Sequence, residues 1–113
     1  MRRQWKLYLL ALSFALGATS NVFGEGPTFT TIDFPGATVT FSQTWAINAR
    51  GEIGGLYTSA GVTHGFLLSG GQFTKIDFPD ATTTEVNTIN PRGDIVGDWG
   101  GGGVTHGFLL SRR

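Results

Sequence analysis

Gly61-Val62-Thr63-His64-Gly65-Phe66-Leu67-Leu68-Ser69 returns unchanged as Gly103 to Ser111. Ile47-Asn-Ala-Arg-Gly-Glu-Ile53 returns at the same offset of 42 as Ile89-Asn-Pro-Arg-Gly-Asp-Ile95. Phe29-Thr-Thr-Ile-Asp-Phe-Pro-Gly-Ala37 returns as Phe73-Thr-Lys-Ile-Asp-Phe-Pro-Asp-Ala81, at an offset of 44 and with seven of nine positions identical. Three ordered matches of this quality make the chain a duplication, which is the sequence signature of a repeat architecture. The change of offset places a loss of two residues between Thr82 and Asn87.

Each unit reads as four short strands. The chain from Glu25 onward is rich in Thr, Gly and aromatic residues and holds one Lys and three Glu, a composition that favours strand over helix. The first strand ends at Ile47 or Ile89. The tetrapeptides Asn48-Ala-Arg-Gly51 and Asn90-Pro-Arg-Gly93 follow, and Asn first with Gly fourth is the type I turn pattern, the Gly taking a positive φ. The second strand is Ile53 to Tyr57, or Ile95 to Trp99. Period-two alternation puts Ile53, Gly55 and Tyr57 on one face, and likewise Ile95, Gly97 and Trp99. The third strand is Val62 to Leu68, or Val104 to Leu110. Ser69-Gly-Gly-Gln72 turns into a fourth strand, Phe73 to Phe78, closed by Pro79 as Pro35 closes its counterpart. Proline is tolerated at a strand end, where its missing N–H is not needed.

The expected fold is therefore all-β: two four-stranded antiparallel repeats resembling propeller blades. The units span about 41–78 and 82–110, with a lone fourth strand at 29–34. This order is a circular shift by one strand, which predicts that 29–34 lies beside 104–110. Propellers hold about four to eight blades, so two units leave three outcomes: a ring-like oligomer sharing its blades, a small two-sheet β-sandwich, or a piece of a longer repeat array.

The N-terminal 24 residues read as a secretory signal. Arg2, Arg3 and Lys6 form a positive head, Leu7 to Ala18 is an apolar run, and small residues precede a cut after Gly24 or Ser20. A spanning helix needs about 20 apolar residues, more than this run supplies, so a secreted domain at 25–113, extracellular or periplasmic and without membrane attachment after cleavage, is expected. The 113 residues hold 8 basic and 8 acidic side chains and no Cys. The missing Cys excludes disulfides, thiol nucleophiles and Cys-ligated metals. The balanced charge argues against nucleic-acid binding. A chain of this size without disulfides has a thin core, which makes self-association an expectation.

The residue patterns give chemistry little support. His64 and His106 occupy equivalent positions, and a need that recurs in each unit is structural: each imidazole is expected to satisfy a backbone group at a strand start. Zinc takes three or four ligands, and the other candidates are scattered carboxylates. Asp33 and Asp77 also recur, and each is expected to pin a strand end by accepting backbone N–H groups. Asp94 and Asp98 lie on one strand face roughly 13 Å apart at about 3.3 Å rise per residue, too far for a glycosidase pair. No catalytic residue, cofactor or metal is expected. The ligand-binding candidates are Trp45, Tyr57 and Trp99, amphipathic aromatics suited to a sugar ring, with Arg50 and Arg92 at matching turns as forked donors.

The pattern Asn48/Gly51/Ile53/Gly55 followed by His64-Gly65-Phe66, and Asn90/Gly93/Ile95/Gly97 followed by His106-Gly107-Phe108, resembles the extracellular HAF-type repeat proteins of bacteria. Gly replaces the Ala of the His-Ala-Phe triplet in both copies. The resemblance implies an exported β-repeat protein and carries no activity. The functional expectation is a non-catalytic module for extracellular assembly or surface binding; the alternative is a small oligomeric lectin-like protein with a glycan ligand.

Overall fold

The computed structural model describes the backbone of residues 7–8, 19–20 and 26–112, and side chains from Gly26 to Arg112 other than Thr44 and Trp45. The expected signal segment 1–24 lies outside the described residues, apart from the backbone of β1 (Leu7–Tyr8) and β2 (Thr19–Ser20). The remaining strands are β3 (Phe29–Thr30), β4 (Val39–Ile47), β5 (Ile53–Ser59), β6 (Val62–Ser69), β7 (Gln72–Ile76), β8 (Thr83–Ile89), β9 (Ile95–Gly101) and β10 (Val104–Leu110). The described residues contain no helix. The all-β expectation holds.

Eight strands form one open, mixed sheet in the order β1-β7-β6-β5-β4-β8-β9-β10. Strands β4 to β7 pair antiparallel in sequence, and β8 to β10 do the same. These are the two units. Between them β8 touches β4 by a parallel pairing at Trp45 and Thr88, and β6 by another at Thr63 and Thr83. Strand β8 thus crosses the face of the first unit over β5, and the units meet face on.

The local turn chemistry explains why the strands begin and end where they do. In each unit the Gly N–H donates to the Asn carbonyl, Gly51 to Asn48 and Gly93 to Asn90, both at 2.9 Å. The Asn48 side-chain oxygen accepts from the N–H groups of Arg50 and Glu52, and that of Asn90 from Arg92 and Asp94. Gly51 and Gly93 have φ of 80° and 92°, which only Gly adopts cheaply.

Each face of the first unit has its own core. Tyr57, Phe66, Leu68 and Phe73 bury one face together with Phe34. Leu67 and Ile76 bury the other against Val86, Ile89 and Ile95 of the second unit. Glycine makes this second contact close: a Cβ at Gly54 would collide with the Val86 side chain.

One expectation is corrected and another is narrowed. Segment 29–34 does not lie beside 104–110. Only Phe29–Thr30 is strand and it pairs with β2, while among the described residues β10 pairs with β9 alone. The reason is Phe34, which is drawn into the aromatic core of the first unit and holds its segment there. The two-residue difference between the units, expected between Thr82 and Asn87, is located between Val86 and Ile89. Phe34 N–H donates to the Thr40 hydroxyl and Phe78 N–H to that of Thr84, so the offset of 44 persists through Thr40. Four residues separate Ser42 from Ile47 in β4, where the register breaks; two separate Val86 from Ile89 in β8. The extra pair is a bulge in β4, absorbed inside the strand.

Candidate functional site

The side chains singled out in the sequence fall into two kinds of cluster, both repeated. The first is an aromatic stack. Phe34 lies flat on Tyr57, ring centres 3.7 Å apart and planes within 4°, and Tyr57 in turn stacks on His64 at 5.0 Å. In the second unit Phe78 lies on Trp99 at 4.2 Å and 3°, and Trp99 on His106 at 4.2 Å. The alternation of β5 and β9 aims Tyr57 and Trp99 at this face. A close approach of backbones beneath them requires Gly55 and Gly97: a Cβ would collide with the carbonyls of Phe41 and Glu85 respectively.

The histidines therefore do not bind backbone groups, as their positions suggested. His64 Nδ1 meets the Asp77 carboxylate at 2.9 and 3.0 Å, with Lys75 Nζ 3.8 Å from the same carboxylate. Asp77 receives this imidazole at the end of β7 instead of the expected backbone N–H groups. Asp33, its counterpart, and His106 are both exposed. His64 and His106 sit in separate stacks, one in each unit. Among the described residues no three His, Asp or Glu side chains are grouped to hold a metal.

The second cluster joins the two Asn-x-Arg-Gly turns. Asn48 Nδ2 donates to Glu52 Oε1 at 2.7 Å and to the Asn90 carbonyl at 3.1 Å. Arg112 Nη2 reaches both Glu52 oxygens at 3.1 and 3.2 Å, Arg50 Nη2 reaches Oε1 at 3.2 Å, and the Ser69 hydroxyl donates to Oε2 at 3.3 Å. Arg112 also donates through Nε to the Gly93 carbonyl and through its N–H to Asp94. Burial pushes the Glu52 carboxyl upward, but the donors Asn48, Arg112 and Arg50 and the Arg112 charge outweigh it and hold the group at about 2. A carboxylate so saturated is ionised at any ordinary pH. It does not serve as a general acid, which needs a value near the working pH; it ties the two units together.

The four ligand-binding candidates whose side chains are described, Tyr57, Trp99, Arg50 and Arg92, do not converge. Tyr57 is only 3% exposed, so no ring face is left for a sugar. Trp99 is half-buried between Phe78 and His106. The Trp45 side chain lies outside the described residues. Arg50 and Arg92 stand at the turns before β5 and β9, at the ends away from Tyr57 and Trp99, paired to Glu52 and Asp94 at 3.2 and 3.6 Å. Sequence reasoning missed the Phe34 and Phe78 stacks, although the Phe-Pro corners carried them at the repeat offset. It also missed the Arg112–Glu52 bridge, which no motif announces. No family model, curated protein or solved structure matches the chain.

Proposed function

We propose that the protein is an exported, non-catalytic β-repeat module, built of two propeller-blade-like units, that serves extracellular assembly or surface attachment. The observation that carries this reading is the repetition of the aromatic stack: Phe34–Tyr57–His64 and Phe78–Trp99–His106 place a Phe, a large amphipathic aromatic and a His in the same order in each unit. A catalytic centre is used once per chain, whereas a packing device recurs with each unit that must pack. The resemblance to HAF-type repeats and the N-terminal signal pattern support an extracellular setting.

N-terminal sequencing of the protein recovered outside the cytoplasm tests export, with a first residue of Glu25 or Asn21 expected and an intact Met1 in a membrane fraction refuting it. A lectin-like function is the second reading, favoured by the half-buried Trp99 with exposed His106 on its ring. A glycan array discriminates the two. Silence supports the scaffold; glycan binding lost in Trp99→Ala with an unchanged far-UV spectrum supports the lectin.

A further inference from the structure

Strand β10 is the third strand of its unit and has no fourth strand beside it among the described residues, whereas its counterpart β6 has β7. The β6–β7 register pairs Leu67 with Thr74 and Leu68 with Phe73, and brings Asp77 to His64. Transferred by the repeat offsets, the same register would set Leu109 opposite Thr30 and Leu110 opposite Phe29, with Asp33 reaching His106. Both halves of that pairing are present in this chain and both are uncovered. Phe29 is 74% exposed where Phe73 is 0%, and Leu109 is 66% exposed where Leu67 is 4%.

The two halves do not meet within one chain. The Phe34–Tyr57 stack fixes segment 29–34 to the first unit, while β10 closes the far end of the strand order. We propose that residues 29–33 of a second copy of this chain add to the free edge of β10 as an antiparallel strand, with Asp33 of that copy on His106. The proposal rests on the two-unit reading above and names its partner.

The consequences for the adjoining faces agree. In the single chain, the Phe78-Pro79 corner leads β7 into β8, and β8 covers the face of the first unit that holds Gly54, Gly65 and Leu67. The corresponding face of the second unit holds Val96, Gly107 and Leu109 and is open. In the second copy, the Phe34-Pro35 corner leads into β4, which would cover that open face. Ile47 in β4 is 61% exposed, while Ile89 in β8 is 5% exposed at the equivalent place. A free strand edge beside an apolar face is a site for association. The contact joins unlike surfaces, so it propagates head to tail and closes as a ring or extends as a fibre. Strand β2, which pairs with β3, falls in the segment whose removal the targeting pattern predicts, and that removal would release Phe29 and Thr30.

The chain has no Cys, so engineered cysteines report the register. Thr30→Cys and Leu109→Cys are made singly and studied in the exported chain after removal of the N-terminal segment that carries β2, at exposed positions that leave the core alone. Mixed and oxidised, they are expected to give a mixed disulfide dimer; the out-of-register pair Thr30→Cys with Val104→Cys should give little. Combined in one chain, Thr30→Cys and Leu109→Cys should yield a ladder of linked multimers. A monomer by light scattering with no cross-link overturns the proposal, as does a disulfide closed within a single chain. Asp33→His should weaken the multimer and Asp33→His with His106→Asp should restore it. Native-state hydrogen exchange separates the two levels: slow amides in β6 and β9 without cross-links sink only the pairing between copies, whereas fast exchange there sinks the two-unit reading as well.

Discussion

Replacing Glu52 by Gln removes one charge from the junction of the two turns and keeps the side chain's shape. The folded carboxyl sits at about 2 against an ordinary 4.5. That depression favours the ionised side chain by about 3 kcal/mol in the folded state, at about 1.4 kcal/mol per tenfold in acidity. Gln stands in for the neutral acid, so Glu52→Gln is expected to lose about 3 kcal/mol near neutral pH. A domain is held by roughly 0.05–0.15 kcal/mol per residue, so this is a large share of the total. Arg112 makes the loss felt: it is left beside a neutral partner at a largely buried site. The direction with pH follows from the depressed value. The contribution is complete above 4.5 and is lost as pH falls toward about 2. The difference between wild type and Glu52→Gln in urea unfolding should therefore be constant above pH 4.5, narrow below it and vanish near pH 2. Taking the difference cancels the other carboxylates. Equal stability at neutral pH, or a gap that does not close in acid, would refute the reasoning.

Gly65 and Gly107 occupy equivalent places but meet different surroundings. A Cβ on Gly65 would press on the Ile76 carbonyl at 3.0 Å and Val86 at 3.2 Å, whereas one on Gly107 meets nothing nearer than 3.8 Å. Thermal unfolding of the monomer should show Gly65→Ala destabilised by about 1–3 kcal/mol and Gly107→Ala near wild type; equal effects would contradict the covering of one face by β8. Phe34→Ala empties a buried site under Tyr57 and should cost about 3–5 kcal/mol in denaturant titration, and a loss below about 1 kcal/mol would deny that Phe34 anchors its segment. Asp77→Asn weakens a partly exposed pair with His64, so a loss of at most about 1 kcal/mol is expected; a larger loss in the same titration would make the pair a core element.

The sequence determined the features that act within a few residues. The Asn48 and Asn90 turns are decided by side chains bonding backbone groups two and four positions on, and the strands between them by alternation and by glycine at the turns. These interactions need no partner from elsewhere in the chain, so they are legible in one pass along it. The tertiary structure decided where the faces meet. Phe34 was read as part of a strand bound for β10, but a ring that lies flat on Tyr57 gains more by burial than an edge pairing offers at that distance. The two-residue difference was read only as lying between Thr82 and Asn87; hydrogen bonds from Phe34 and Phe78 to Thr40 and Thr84 hold the corner alike in both units and leave the difference to the β4 bulge. Tyr57 looked like a ligand platform because an aromatic on a strand has the same alternation whether its face is covered or open. The Arg112–Glu52 bridge spans 60 residues, and Gly70 stands where the first unit would hold the matching Arg. Only the packing of the second unit against the first brings its two ends together.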